Sequence, residues 1–148
     1  MFAGVGPFSI MIAKHAKPMV IYAIDINPDA VAYMRKNIEL NKADKVMAIE
    51  GDARDVIFEL PNVDRIVMNL PHSAIDFFPD ALTRLNFDGT IHIYHICDRK
   101  DIDAVVEGLL VMARGMGVEI EVAQKEEMKT YSPSMSVFSV DLVLRKWS

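Results

Sequence analysis

Cysteine is nearly absent: Cys97 is the only one in 148 residues. No intrachain disulfide can form, which points to a reducing, cytoplasmic setting. Basic charge is also short, with 16 Lys and Arg against 21 Asp and Glu and a net charge of −5. Affinity for nucleic acid comes mainly from Lys and Arg on phosphate, so this chain alone is not expected to bind RNA or DNA strongly. A basic partner domain would change that balance. No apolar run reaches the roughly 18 residues of a membrane span, so no membrane is expected. The segment from Met1 to Gly6 is broken by glycine and has no basic residue, unlike a signal peptide. There is no repeat, low-complexity tract or long linker, and no His, Cys or Asp spacing that suggests a metal. At 51% hydrophobic and 25% charged residues, the chain reads as one globular domain over residues 1–148.

What is present is an alternation of helix and strand patterns. Gly4-Val5-Gly6 followed by Pro7 reads as a tight turn entering a helix that runs to about His15. Glycine frees φ there, and proline suits the first helical position because its missing N–H has no helical partner. Such a turn normally follows a buried strand of a nucleotide-binding sheet. Almost nothing precedes it here, so the first strand is expected to be largely missing and the chain to be part of a longer enzyme. Residues 20–24 (VIYAI) form an apolar run suited to a strand covered on both faces. Asn27 is a good N-cap, with Pro28 at N1, for a helix whose apolar positions are Ala30, Val31, Met34 and Ile38. Strands are predicted over 46–49, 65–68 and 90–96, and helices over 53–60, 73–85 and 100–114. An Asp88-Gly89 turn separates the second of these helices from the strand at 90. Two final strands, 118–124 and 137–144, have no helix between them and should pair antiparallel. The sum is a mostly parallel α/β sheet with one antiparallel strand near the C-terminus.

In open α/β sheets, ligands bind beyond the carboxyl ends of the strands, and four motifs fall there. Gly4-Val5-Gly6 is the first. Asp25 is the second, about twenty residues past the glycines, where a carboxylate can accept from both ribose hydroxyls. Asp52 is the third, an acceptor for an adenine amino group. Asn69-Leu70-Pro71 is the fourth. Each also has a plain reading: a turn, a strand end, a helix cap or a loop exit. The dinucleotide fingerprint wants a small third residue, G-x-G-x-x-G/A. Here that position is Ser9, and Pro7 removes an N–H that a pyrophosphate would use. A cofactor without phosphates, such as S-adenosyl-L-methionine, suits this turn better.

The segments MFAGVGPFSI, AIDINP, N-I-E-L-N (Asn37 to Asn41), GDAR, MNLP and YSP resemble the archaeal and eukaryotic type of tRNA (guanine-N1)-methyltransferase. That family modifies the guanine at position 37, next to the anticodon. The resemblance covers essentially the whole chain, and the family string D-M-F-A-G-V-G-P-F-S is matched from its second letter. It implies a Rossmann-like class I methyltransferase domain with S-adenosyl-L-methionine as donor. Gly4 and Gly6 would lie against the methionine part, Asp25 on the ribose and Asp52 near the adenine, with Phe2, Ile26 and Ala53 also binding the cofactor. Asn69 would contact the cofactor and the guanine, with Pro71 stiffening its loop. A sister family transfers an aminocarboxypropyl group from the same cofactor during wybutosine synthesis. It shares the opening motif but typically lacks Asn-Leu-Pro, so Asn69-Leu70-Pro71 favours methyl transfer. The family's glutamate base, its assisting arginine and its tRNA-recognising domains lie upstream of the glycine motif. A truncated cofactor-binding module, inactive alone, is therefore a further alternative.

Other residues carry less. His72 and His95 are candidates to touch substrate, with structural roles as the plainer reading. His92 is read as structural. Cys97 reads as an inert small residue. Tyr131 and Pro133 either flank a substrate pocket or form a turn. Lys125, Lys129, Arg145 and Lys146 form a minor basic strip or solvated surface charge.

Overall fold

The computed structural model describes residues 1–147. They form two compact units, Met1–Glu59 and a second beginning at Leu60.

The first unit contains α1 (Pro7–His15), β1 (Ile21–Asp25), α2 (Pro28–Leu40), β2 (Val46–Glu50) and α3 (Ala53–Val56), the last continuing as a 3-10 turn over Ile57–Glu59. β1 and β2 pair in parallel, from Ile21 opposite Val46 to Asp25 opposite Glu50. Ile10, Ala23, Val31, Met34, Ala43 and Val46 form the core. Val31 and Met34 lie one turn apart on α2, so one helical stripe faces the sheet. Asn27 starts that helix as the sequence predicts: its side chain accepts from the N–H groups of Asp29 and Ala30 at 2.9 and 3.3 Å. No strand precedes α1, and beyond its pairing with β2, β1 receives the Ala3 N–H on the Ile24 carbonyl at 2.8 Å.

The second unit contains β3 (Val63–Asn69), a 3-10 turn (Ala74–Phe77), α4 (Phe78–Leu82), β4 (Leu85–Asp98), α5 (Ile102–Gly115), β5 (Val118–Thr130) and β6 (Met135–Trp147). Its sheet order is β3-β4-β6-β5. β3 and β4 are parallel, and β6 runs antiparallel to both of its neighbours. This is the single antiparallel strand that the two consecutive C-terminal strands imply. One face of the sheet is closed by Ile66, Met68, Ile91, Ile93, Val140 and Leu142, all buried.

Several predicted boundaries move: β3, β5 and β6 run past their predicted ends, and two elements change more. The helix over 73–85 divides, because Pro79 stands in the first turn of α4 and has no N–H to continue an upstream α-helix. The Asp88-Gly89 turn lies inside a longer β4. It is the excursion that shifts the register from Val63 opposite Leu85 to Arg65 opposite Thr90, with Asp88 at φ +59°.

Candidate functional site

In the first unit, hydrogen bonds gather the glycine turn and both aspartates at the carboxyl ends of β1 and β2. Gly4 and Gly6 adopt φ of +56° and +85°. The Gly4 N–H donates to Asp25 Oδ2 at 2.7 Å, and the Asn27 N–H donates to Asp25 Oδ1 at 2.9 Å. The Gly51 N–H donates to the Asp25 carbonyl at 3.0 Å, which ties the two strand ends together. Asp25 is therefore both clamp and acceptor. A carboxylate has about four lone-pair sites, so with two occupied by backbone N–H groups it can still accept from two hydroxyls.

Asp52 serves as the N-cap of α3, its Oδ1 accepting from the Arg54 N–H at 2.8 Å. The cap uses one oxygen and leaves the other. Ile26, between Asp25 and Asn27, is 67% exposed, an apolar side chain beside two polar ones. Ala53 is buried, so only its backbone could meet a ligand. Phe2 has a positive φ of 58° at the head of the turn.

The two glycines differ in their surroundings. A Cβ on Gly6 would stand 2.8 Å from Met34 Cγ, whereas one on Gly4 would meet nothing within 4 Å. Gly6 is glycine for packing and φ, and Gly4 for φ and for open space beside its backbone. Open space over a glycine, spare lone pairs on two carboxylates and an exposed isoleucine suit an adenosyl compound.

In the second unit, Asn69 ends β3 and the chain turns at Leu70 and Pro71. The N–H groups of Ser73 and Ala74 donate to the Leu70 carbonyl at 3.0 and 2.8 Å, and the Ile96 N–H donates to the Pro71 carbonyl at 2.9 Å. The turn is thus fastened to β4. His95, beside that carbonyl, is not the satisfied histidine the sequence suggests: its Nδ1 is buried without a partner. Burial lowers its pKa, the Pro71 carbonyl opposes this, and neighbouring His72 adds to the lowering. His92 does have partners, Asp141 at 2.8 Å and Arg65 at 3.2 Å. Cys97 is buried, and burial followed by the charges of Asp101 and Asp98 raises its pKa, so little reactive thiolate forms.

Two residues of the basic strip are taken up in ion pairs. Lys125 pairs with Asp103, and Arg145 bridges Asp88 and Glu121 at 2.7 Å each. What the sequence hides is the network around Arg99, in the β4-to-α5 turn. It links Glu127, Thr130, Pro133 and Ser134, the nearest of them 28 positions away along the chain, and no local pattern announces such a pairing.

The TRM5/TYW2 methyltransferase domain matches residues 1–121. The tRNA (guanine(37)-N(1))-methyltransferase Trm5b of Pyrococcus abyssi is 39% identical over 142 residues, covering 95% of this chain and 42% of that protein. The tRNA(Phe) (4-demethylwyosine(37)-C(7)) aminocarboxypropyltransferase of Methanocaldococcus jannaschii is 36% identical over 144 residues, covering 95% of this chain and 57% of that protein. Among solved structures, M. jannaschii TYW2 in complex with AdoMet superimposes with a TM-score of 0.91 at 34% identity, over 99% of this chain and 67% of that one. The chain thus spans about half the length of the curated relatives it matches.

Proposed function

Because the chain belongs to the TRM5/TYW2 methyltransferase domain family, we propose that it binds S-adenosyl-L-methionine at the Gly4–Asp25–Asp52 cluster and serves methyl transfer to N1 of guanine 37 in tRNA, in a reducing cytoplasm. The observation that carries this reading is the cluster itself: a glycine turn bonded to Asp25, with open space beside Gly4 and a second carboxylate on the adjoining strand end. In this reading Asp25 accepts from the ribose hydroxyls, Asp52 accepts from the adenine amino group, Ile26 covers an adenosyl face, and Phe2, Gly6 and the Ala53 backbone shape the rest. When bound, the cofactor supplies a methyl group made electrophilic by a sulfonium.

Guanine N1 carries a proton and is a poor nucleophile. Its attack requires positioning, removal of that proton by a base and stabilisation of the charge that grows on O6. The family resemblance places the base ahead of the glycine motif. Asn69 has both amide donors and an acceptor for the base edge, and the Ile96-to-Pro71 hydrogen bond holds its loop still.

Aminocarboxypropyl transfer is the second reading, favoured by the superposition with TYW2. Incubation of the full-length gene product with S-adenosylmethionine and tRNA, followed by nucleoside mass analysis, separates the two. The expected product is guanosine carrying one methyl group. A product carrying an aminocarboxypropyl group contradicts the proposal. Asn69→Ala is expected to lower turnover about 10²-fold, the scale of losing one such donor, and unchanged turnover at saturating tRNA removes Asn69 from the mechanism.

A further inference from the structure

We infer that Tyr131 is a nucleobase-stacking platform for the RNA substrate and that Arg99 is the positioning residue that holds it. The inference rests on the proposed tRNA reading and extends it to residues outside the Asn69–Pro71 turn.

The loop between β5 and β6 is short, exposed and polar, a setting in which side chains ordinarily move freely. This one is pinned. Arg99 donates from Nε to Glu127 Oε1 at 2.9 Å, from Nη1 to the Pro133 carbonyl at 2.8 Å, and from Nη2 to Thr130 Oγ1 at 3.0 Å. Its backbone N–H donates to the Ser134 carbonyl at 3.0 Å. Ser136, fully buried, donates to the same Glu127 oxygen at 2.5 Å. Those two hydrogen bonds hold the Glu127 carboxyl below its usual range. Within the loop, the N–H groups of Tyr131 and Ser132 both donate to the Met135 carbonyl, at 2.9 and 3.0 Å.

All this bonding fixes a loop whose aromatic residue stays out of the core. Tyr131 is 60% exposed. Its ring meets His72 edge to face, centroids 6.2 Å apart and planes at 79°. His72 directly follows Pro71, so the platform stands against the turn that carries Asn69. An aromatic ring held rigid, left largely uncovered and set beside that turn suits a planar partner, and base–aromatic stacking is tolerant of which base it meets. Charge agrees with an RNA occupant. Lys100 follows Arg99 and Lys129 precedes Thr130, and among the described residues neither ammonium group makes an ion pair. Lys125 and Arg145, farther from the loop, are neutralised by partners.

The test measures binding of a labelled anticodon stem-loop RNA, with guanine at the modified position, to the full-length gene product by fluorescence anisotropy. Tyr131 is exposed, so its variants should fold. Tyr131→Ala is expected to weaken RNA binding about tenfold, while Tyr131→Phe, which keeps the ring, stays within twofold. Arg99→Gln is expected to weaken binding as well. The Arg99→Gln, Tyr131→Ala double variant should bind no worse than Tyr131→Ala alone, because Arg99 acts through the tyrosine. The cofactor's dissociation constant, read by calorimetry, should not change in any of these. Binding within twofold of wild type for Tyr131→Ala overturns the platform. Fully additive losses overturn the positioning role of Arg99. A gene product that binds the RNA through Tyr131 but yields no methylguanosine contradicts the proposed reaction and leaves the platform standing.

Discussion

Gly4 and Gly6 stand two residues apart and are glycine for different physical reasons, which predicts opposite consequences for one substitution. Gly6→Ala puts a Cβ 2.8 Å from Met34 in a left-handed conformation. It should cost about 2 kcal/mol or more in urea denaturation, from left-handed strain and overpacking together. Gly4→Ala takes the left-handed strain alone and should cost about 1–2 kcal/mol of stability, less than Gly6→Ala, yet weaken S-adenosylmethionine binding by calorimetry because its methyl enters the space beside the turn. Equal effects of the two on binding and stability would refute the distinction. His95 makes a pH prediction. Its pKa lies below the ordinary 6.5 because burial disfavours the imidazolium. In the range between its folded and unfolded values the folded chain binds fewer protons, so stability rises with pH and is lost on acidification through 6.5. Comparing wild type with His95→Gln isolates the histidine: the melting temperature of the variant should fall less on acidification to about pH 5.5, and parallel curves would contradict it. The sequence announced Asp25 and Asp52 by their positions after strands. It could not announce the two N–H groups that Asp25 clamps, because that depends on a turn folding back across 21 residues.

Elements with their own local signals were legible. α2 has an N-cap, a proline at N1 and an apolar stripe, and the structure has Asn27 accepting from two N–H groups at its start. Asn27→Ala should cost about 1 kcal/mol in thermal or urea unfolding, the usual loss of such a cap; no change would mean that Pro28 and packing define the helix start unaided. The antiparallel β6 followed from the absence of a helix between the last two strands. The helix over 73–85 was misjudged because its apolar residues fit a helical period, while Pro79 divides the run into a 3-10 turn and a five-residue α4. β4 outran its predicted ends because Leu85 still pairs with Val63 of β3 ahead of the Asp88 excursion, and Cys97 and Asp98 pair with Ser136 and Met135 of β6 at the far end. The Arg99 network was invisible for a related reason. Its partners come from β5, the β5–β6 loop and β6, and only the finished hairpin register, Thr130 opposite Ser136, assembles them.

At the scale of the whole molecule, this acidic chain carries its proposed adenosyl site in one unit and its Asn69–Pro71 turn in the other. In the proposed function the groups that would meet tRNA are few and local: the Asn69–Pro71 turn, Tyr131 and, beside it, two lysines that make no ion pair among the described residues. That division agrees with a net charge of −5, because most phosphate contact in a tRNA enzyme requires more basic surface than this chain offers. The central claim is that the Gly4 turn, Asp25 and Asp52 together receive the adenosyl compound. A crystal structure of the full-length gene product with S-adenosylmethionine tests it most directly. The account predicts ribose hydroxyls on the Asp25 carboxylate, the adenine amino group on Asp52 with Ile26 against the ring, and the methionine end over Gly4. The compound bound at any other place, with Asp25 and Asp52 making only the backbone hydrogen bonds they make now, would contradict it.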